Sequence, residues 1–322
     1  MITLKQLAEI SGLSVRTVGR ALSGHPYVSE EKRKLVLELA ARYHYIPNMA
    51  ARNLRLNQKH FVGILFDNYS LSPDSRMLNL LNLKLVENSF WPLIGNTGTG
   101  EDCLPMLREW AAIAEYVIVL HESRVPVLKK LIASVESLPL RCIYADCALH
   151  SGDYHFSTDR TGSVKQLVLE AERMGFRHLV YCGSLDTRRQ GIDAAGKELS
   201  RMKISYVKGR LEFEDAYRLG DAVMQSGADI VFFDTDRMAM GFYRYAAERK
   251  IVIPDQIAVA GFDGEPFAGY LTPPLATLAH PHEEFVELIL EIIKSGNIPE
   301  VAPIPMKFLK RESFRKVAAA AL

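Results

Sequence analysis

The chain of 322 residues is poor in cysteine and has no long apolar run, and each shortage removes a class of protein. Its four cysteines, Cys103, Cys142, Cys147 and Cys182, are scattered with no C-x-x-C pair. Three of them sit in apolar stretches, where a reduced, buried thiol is the common state, so neither a disulfide framework nor a thiolate metal centre is expected. No apolar run reaches the roughly 18 residues that a membrane span requires. The start, Met1-Ile-Thr-Leu-Lys5, lacks the basic-then-apolar layout of a secretory leader, which predicts a cytoplasmic protein. Also missing are a G-x-x-x-x-G-K-[ST] phosphate loop, an H-E-x-x-H helix and a G-x-S-x-G elbow. Gly95-Asn-Thr-Gly-Thr-Gly100 fits a dinucleotide fingerprint only loosely and reads as a turn. His121 with Glu122, and His280 with His282, find no third ligand at a telling spacing and read as loop residues. The expectation is therefore no enzyme, no cofactor and no metal.

What the chain does have is charge in the wrong place for a uniform surface. The formal total of +1 splits into ten bases and four acids over residues 1 to 60, net +6, and 29 bases and 34 acids beyond, net −5. A basic head on an acidic body is the footprint expected when only the head meets phosphate. With 48% hydrophobic residues the chain can bury a full core, and its length suits two to three domains.

Within the basic segment, Thr3 can cap a first helix with Leu4, Leu7, Ala8 and Ile10 on one apolar face, and Gly12 can take the positive φ of a tight turn. Ser14 then caps a second helix. Val15, Val18 and Leu22 recur there at helical spacing, which predicts that they are buried and that Arg16, Thr17 and Arg20 point outward. This is a helix-turn-helix pattern, and the outward residues are placed to reach a groove of DNA. Paired amphipathic helices across a glycine turn also occur in folds that never touch DNA; the local charge favours the DNA reading.

Beyond residue 60 short apolar runs alternate with helical patterns. The runs are 61–66, 91–94, 116–120, 141–144, 179–182, 230–233 and 257–262, each read as a strand buried on both faces. Helical patterns include 163–174, 190–201, 216–226, 237–249 and 282–294. Alternation of this kind implies parallel sheets flanked by helices, with ligands bound beyond the carboxyl ends of the strands. Polar residues cluster at those ends: Asp67 and Asn68, His121 and Glu122, Asp146, Ser184, Asp234 to Asp236, and Asp263.

The head lies close to the pattern T-L-x-x-V-A-x-x-A-G-V-S-x-x-T-V-S-R, with Leu7, Ser11, Leu13 and Gly19 at its V, A, V and S, and continues with Val28-Ser29, Lys32-Arg33, Tyr45-Ile-Pro-Asn48 and Ala50-Ala-Arg-Asn-Leu-Arg55. The body adds Gly63-Ile-Leu, Thr158-Asp-Arg-Thr-Gly162, Arg188-Arg-Gln-Gly191, Asp236-Arg-Met-Ala-Met-Gly241, residues 253–263, Pro274-Leu-Ala-Thr-Leu278 and Lys310-Arg-Glu-Ser313. In these motifs the chain resembles the lac repressor family of bacterial transcription regulators from Thr3 to about Phe314. The resemblance implies an all-α helix-turn-helix head and an α/β body of two lobes, like a periplasmic binding protein, with parallel sheets flanked by helices. The implied divisions are a head at 1–46, a hinge helix and linker at 47–60, one lobe from 61–158 with 282–304, a second from 159–281 with 305–316, and a tail at 317–322. The partners it implies are double-stranded operator DNA of near-palindromic sequence, a small-molecule effector of carbohydrate type, and a second copy of the chain in a homodimer, with no membrane.

Carried over residue by residue, Val15 and Arg16 stand where family members select base edges, and Arg16 suits a guanine edge in the major groove. Thr17, Arg20, Ser23 and Tyr27 would touch backbone or neighbouring bases, and Thr3, Ser14, Asn48 and Ala51 complete the DNA-facing set. Leu54 matches the hinge leucine that wedges into the minor groove. Gly19 departs from the family's serine and should weaken the isolated helix by up to about 1 kcal/mol.

For the effector, Arg188 and Asp263 match the arginine and aspartate that hold sugar hydroxyls in relatives. Asp67, Asp159, Ser184, Thr235, Asp236 and His280 fall on positions lining the same cleft, although for Asp159, Thr235 and Asp236 a helix cap or surface ion pair is an equal alternative. Asp67 would favour a polyol or an amine over an anion, whereas Arg189 beside Arg188 leaves room for a phosphorylated sugar. Leu211 replaces the family's stacking aromatic, Ile192 replaces the aromatic after R-x-x-G, and His280 and His282 replace glutamine and an aromatic. The expected function is a ligand-controlled transcriptional repressor. The alternatives are a cytoplasmic two-lobed binding protein and a corepressor-dependent regulator of purine type.

Overall fold

The computed structural model describes residues 2–45, 60–66, 73–96, 103–120, 125–146, 154–210, 212–297 and 302–316. The chain forms two compact units, Met1–His60 and Phe61–Leu322. Asn48, Ala51, Leu54, Asp67, His121, Glu122, Cys147, Leu211 and the tail lie outside the described residues.

In the first unit, α1 (Leu4–Ser11), α2 (Val15–Leu22) and α3 (Glu30–Arg42) surround a small core. Thr3 and Gln6 form a reciprocal capping box, and Gly12 ends α1 at φ 65°, its N–H closing onto Ala8 and Glu9 carbonyls. Ser14 caps α2 by accepting the Thr17 N–H at 3.1 Å. Leu7, Ala8, Val18, Ala21, Val28 and Val36 fill the core. Two expectations fail here: Ile10 is 45% and Val15 42% exposed. Helical residues three apart lie about 60° apart around the axis, so the same spacing fits two adjacent faces. The buried seam of α2 runs through Val18 and Ala21, which turns Val15 outward; on α1 it runs through Leu7 and Ala8, which leaves Ile10 on the far edge.

The second unit begins with β1 (Phe61–Phe66), α4 (Pro73–Glu87), β2 (Trp91–Asn96), α5 (Leu104–Ile113), β3 (Ala114–Leu120), α6 (Val125–Glu136), β4 (Arg141–Ala145) and β5 (Tyr154–Phe156). It continues with β6 (Thr158–Asp159), α7 (Arg160–Arg173), β7 (His178–Gly183), α8 (Asp186–Gly196), β8 (Lys203–Lys208), α9 (Phe213–Arg218), α10 (Gly220–Gln225), β9 (Ile230–Phe233) and α11 (Asp236–Glu248). The last elements are β10 (Ala258–Asp263), a 3-10 turn at Pro266–Tyr270, β11 (Ala276–Ala279), α12 (His282–Ser295), β12 (Ile304–Pro305) and β13 (Lys307–Leu309).

Two sheets result. The first has the order β2-β1-β3-β4-β5 and is parallel throughout; the second has the order β13-β11-β10-β9-β7-β8 and is parallel except for β13. The short β12 and β6 pair with each other. Each sheet is covered on both faces, as parallel sheets require. On the first, Val62, Ile64 and Phe66 pack with Leu81, Leu85, Phe285 and Ile289 of α4 and α12. Leu65, Val117 and Val119 face Leu107, Trp110 and Val135 on the other side. On the second, Leu179, Tyr181, Phe232 and Phe262 meet Val168 and Ile192, while Val180, Cys182 and Phe233 meet Met238 and Phe242. Gly241 admits the close approach of α9 to α11, since a Cβ there would sit 2.1 Å from the Phe213 carbonyl oxygen.

The strand runs expected from the sequence are present, with two differences. Trp91–Asn96 is an edge strand rather than a doubly buried one, and Trp91 and Ile94 are exposed. Lys203–Lys208, with an end lysine at each side and Ser205 between Ile204 and Tyr206, forms a further edge strand that shows no unbroken apolar run. The helix expected over 216–226 divides at Leu219 into α9 and α10. The helix expected from 190 begins instead at Asp186, which places Arg188 on its first turn. Cys103, Cys142 and Cys182 are buried and form no disulfide among the described residues. Burial pushes the Cys142 thiol up to about 11 and the Cys182 thiol up to about 12. Among the described residues no helix is long and apolar enough to cross a membrane.

Candidate functional site

Two places concentrate functional side chains. In the head, the first turn of α2 presents Ser14, Val15 and Arg16 to solvent, with Thr17 and Arg20 half-buried beside them. Ser23 and Tyr27 are exposed on the following turn, and the Tyr27 ring stands 5.4 Å from that of His25. That turn is anchored by a residue that the sequence marks only by its charge: Arg33 of α3 donates to the His25 carbonyl at 2.9 Å and the Gly24 carbonyl at 3.4 Å. Thr3 and Ser14 act as caps, and both side chains remain exposed. At Gly19 no heavy atom lies within 4 Å of the position a Cβ would take, so the departure at this position leaves open space on the presented helix.

The second place is where strands β4, β7, β9, β10 and β11 end. Arg188 donates to Asp263 at 3.1 Å while its guanidinium lies 3.7 Å from the centre of the Phe262 ring. Both members of the pair are buried, and Arg188 Nε has no hydrogen-bond partner. Asp263 takes a φ of 107°, a region costly for any residue with a Cβ. Its neighbours hold it there: Gly264 donates its N–H to Thr277, and Glu265 donates its N–H to Asp236 at 2.8 Å. Asp236 is fully buried, with its second oxygen unpartnered. Burial first, and then the charge of Asp263, pushes its carboxyl well above the usual range, which favours the protonated acid.

Asp234 is a second fully buried carboxylate. It accepts the Tyr181 hydroxyl and the backbone N–H groups of Ser184 at 2.6 Å and Leu185 at 3.0 Å. The loop that leads into Arg188 is thereby pinned from below. Asp146, after β4, takes two 2.8 Å bonds from Arg160 and two more from the N–H and hydroxyl of Thr158. Burial alone would raise the Asp146 carboxyl, but His280 and Arg160 outweigh it and hold it far below the usual range.

Of the residues expected to bind an effector, Arg188, Asp263 and His280 come together. His280 Nε2 lies 3.6 Å from Asp263 Oδ1. Ser184 stands exposed on the rim of this group. Asp159 and Thr235 serve as caps, accepting the N–H of Gly162 at 2.8 Å and of Met238 at 3.1 Å. Asp236 supports the Asp263 turn from beneath. Asp146, Arg160, Tyr181 and Asp234 join the group without having been expected to bind an effector; Asp146 and Asp234 were visible as polar strand ends, Arg160 lay inside the Thr158–Gly162 motif, and Tyr181 read only as part of a strand run. Among the described residues no group of three His, Cys, Asp or Glu side chains is placed to hold a metal ion.

Comparison with known proteins agrees with this two-part build. Residues 3–48 match the family of bacterial regulatory proteins, lacI family, and residues 171–314 match a periplasmic binding protein-like domain. The class is thus a helix-turn-helix head carried on a periplasmic-binding-protein-like body. The head is that of the lacI family of bacterial regulatory proteins, and the curated relatives are repressors and regulators of the same build. It is 25% identical over 302 residues to the probable HTH-type transcriptional repressor ExuR of Bacillus subtilis, covering 88% of each chain. It is 24% identical over 312 residues to the ribose operon repressor of Escherichia coli K12, covering 91% of this chain and 92% of that one. In fold it is similar to the lac repressor dimer bound to operator and the anti-inducer ONPF, with TM-score 0.81 and 17% identity over 98% of this chain and 99% of that one. A lacI-family regulator from Enterococcus faecium with bound ribose shares the fold at TM-score 0.66 and 17% identity, over 80% of this chain and all of that one.

Proposed function

We propose that the protein is a cytoplasmic transcriptional repressor that binds near-palindromic operator DNA as a homodimer and is controlled by a carbohydrate bound between the two lobes of its body. The observation that carries this reading is the pairing of an exposed, cationic first turn on α2 with a buried Arg188–Asp263 pair at the strand ends. The first suits phosphate and base edges; the second offers one fork of donors and one acceptor, the set that a vicinal diol needs.

Lobe boundaries at 61–158 with 282–304, and at 159–281 with 305–316, are part of the proposal, as are the DNA contacts of Val15, Arg16, Thr17, Arg20, Ser23 and Tyr27. An exposed apolar patch, Leu83 and Val86 on α4 with Trp91 and Ile94 on β2, supports the dimer. An effector that bridges the lobes favours one closure angle and shifts the paired hinges, which changes how the Leu54 wedges meet the groove.

A thermal-shift screen of the full chain against sugars, sugar phosphates, polyols and purines tests the ligand half. A ligand at a hundredfold excess over its Kd should stabilise by about 2.7 kcal/mol. A carbohydrate hit lost in Asp263→Ala supports the reading; a hit that survives in both Asp263→Ala and Arg188→Ala removes this site from it. For the DNA half, unchanged operator affinity in Leu54→Ala would sink the wedge.

A further inference from the structure

Five charged side chains alternate in sign across the junction of the two sheets. Arg160 at the start of α7 holds Asp146 bidentately. Asp146 Oδ2 lies 3.6 Å from His280 Nδ1, and His280 Nε2 lies 3.6 Å from Asp263 Oδ1. That same Asp263 oxygen receives Arg188 at 3.1 Å. Asp146 follows β4 of the first sheet, while Asp263 ends β10 and His280 follows β11 of the second. The imidazole of His280 is thus the side chain that stands midway between a carboxylate of each sheet.

Its ring is boxed in. Phe262 meets it edge-on at 5.8 Å, and His282 stacks on it at 5.5 Å with 18° between planes. His280 is 5% exposed and its Nε2 has no hydrogen-bond partner. Two contacts of equal, slightly long length leave the ring able to tighten onto one carboxylate only by loosening from the other. Such an arrangement has two discrete states rather than a continuous range. Arg188 already competes for the Asp263 oxygen, so whatever engages Asp263 sets how strongly that carboxylate holds His280.

We propose that His280 is a positioning residue that couples the engagement of Asp263 in the cleft to Asp146 on the opposite lobe, and so transmits ligand occupancy to lobe spacing. This rests on the cleft reading above, in which Asp263 meets the ligand. A ligand hydroxyl that takes up the Asp263 oxygen frees His280 to close onto Asp146; loss of the ligand divides the ring between the two again.

The charged groups that face this ring, among the described residues, are Asp146 and Arg160, Asp263 and Glu265, Arg188, and His282 with Arg76 acting on it. Burial opposes a proton on His280, but Asp146 and Asp263 outweigh it and raise the group to about 9. For His282, burial and then the charge of His280 lower the group to about 3. At neutral pH a charged imidazole therefore lies on a neutral one.

The test uses the full chain without DNA or ligand, so that failure to bind an operator or a sugar bears on the function and not on this proposal. Histidine carbon resonances followed by NMR should show His280 titrating more than about one pH unit above an ordinary imidazole, and Asp146→Asn should lower that titration by about one unit or more. Asp146→Asn keeps an oxygen for Arg160, which guards the fold. Spin labels at Glu109→Cys and Lys197→Cys, one exposed position on each lobe, should report a distance that changes as pH rises through 9 and stays constant in His280→Gln. A His280 titration unmoved by Asp146→Asn, or a lobe distance with the same pH profile in His280→Gln, overturns the coupling. If His280→Gln does not fold, the distance profile of Asp146→Asn decides, since loss of the carboxylate charge must shift it to lower pH.

Discussion

Arg16 and Arg188 are the same residue type used in opposite ways. Arg16 projects from the first turn of α2 into solvent, with no ion pair or hydrogen bond to its side chain among the described residues. Arg188, on the first turn of α8, is 7% exposed, stacked on Phe262 and tied to Asp263. An exposed guanidinium has lost none of its hydration and is free to serve an outside partner. A buried one has lost most of its hydration, so its neighbours must supply what water did. The head therefore stores binding capacity in charges that the fold does not need, whereas the body makes its fold depend on the charges that would meet a ligand.

Arg188→Ala breaks this comparison most directly. It strands the Asp263 carboxylate in a buried site, and the expected loss is about 3 kcal/mol or more of unfolding free energy, read as a lower urea midpoint for the body. A drop of a few tenths would mean that water already solvates the pair.

Next in size is the pH dependence of body stability. The His280 value of about 9 lies above the unfolded reference of 6.5, so its contribution is complete below pH 6.5 and is lost as pH rises through 9, on the order of 3 kcal/mol. His282 acts in reverse. Its folded value of about 3 makes its contribution complete above pH 6.5 and lost as pH falls toward 3. Denaturant midpoints measured from pH 3 to 10 should fall at both ends, and His280→Gln should flatten the alkaline limb and, by removing a positive neighbour from His282, soften the acid one.

For the head, Arg16→Ala should leave stability within about 0.5 kcal/mol and weaken operator binding by about 1 to 3 kcal/mol, measured by fluorescence anisotropy. Equal damage to both would show that Arg16 is part of the head's structure. The smallest effect is expected from Gly19→Ala. With open space around its Cβ position it should stabilise α2 by up to about 1 kcal/mol, seen as slower amide exchange at Val18.

Local signals carried much of this structure. Thr3, Gly12 and Ser14 mark the ends of α1 and α2 because caps and left-handed turns are decided by neighbours in sequence. The strands buried on both faces were visible as unbroken apolar runs. Edges were harder: Trp91 belongs to such a run yet lies at the margin of its sheet, and Lys203–Lys208 pairs as a strand although its apolar residues do not form an unbroken run. Which face of a short helix is buried depends on its partners, and so Val15 and Ile10 came out exposed. In the body, Arg188 and Asp263 were marked by their motifs. The approach of Asp146 to His280 was not, because residues far apart in the chain meet only once both sheets are built. Nor could sequence separate a capping carboxylate such as Asp159 from a ligand-facing one, since both end a strand and precede a helix.

The interior of the first sheet is completed by Phe285, Val286 and Ile289, which belong to α12 and arrive some 130 residues after its last strand, Tyr154–Phe156. A ribosome making this chain exposes β1 to β5 and every strand of the second sheet except β13 before it delivers that helix. At about 5 to 20 residues per second the unfinished face waits for several seconds or more with its apolar side uncovered. The part of the body translated first is therefore among the last to be finished, and the cell must shield it in the meantime.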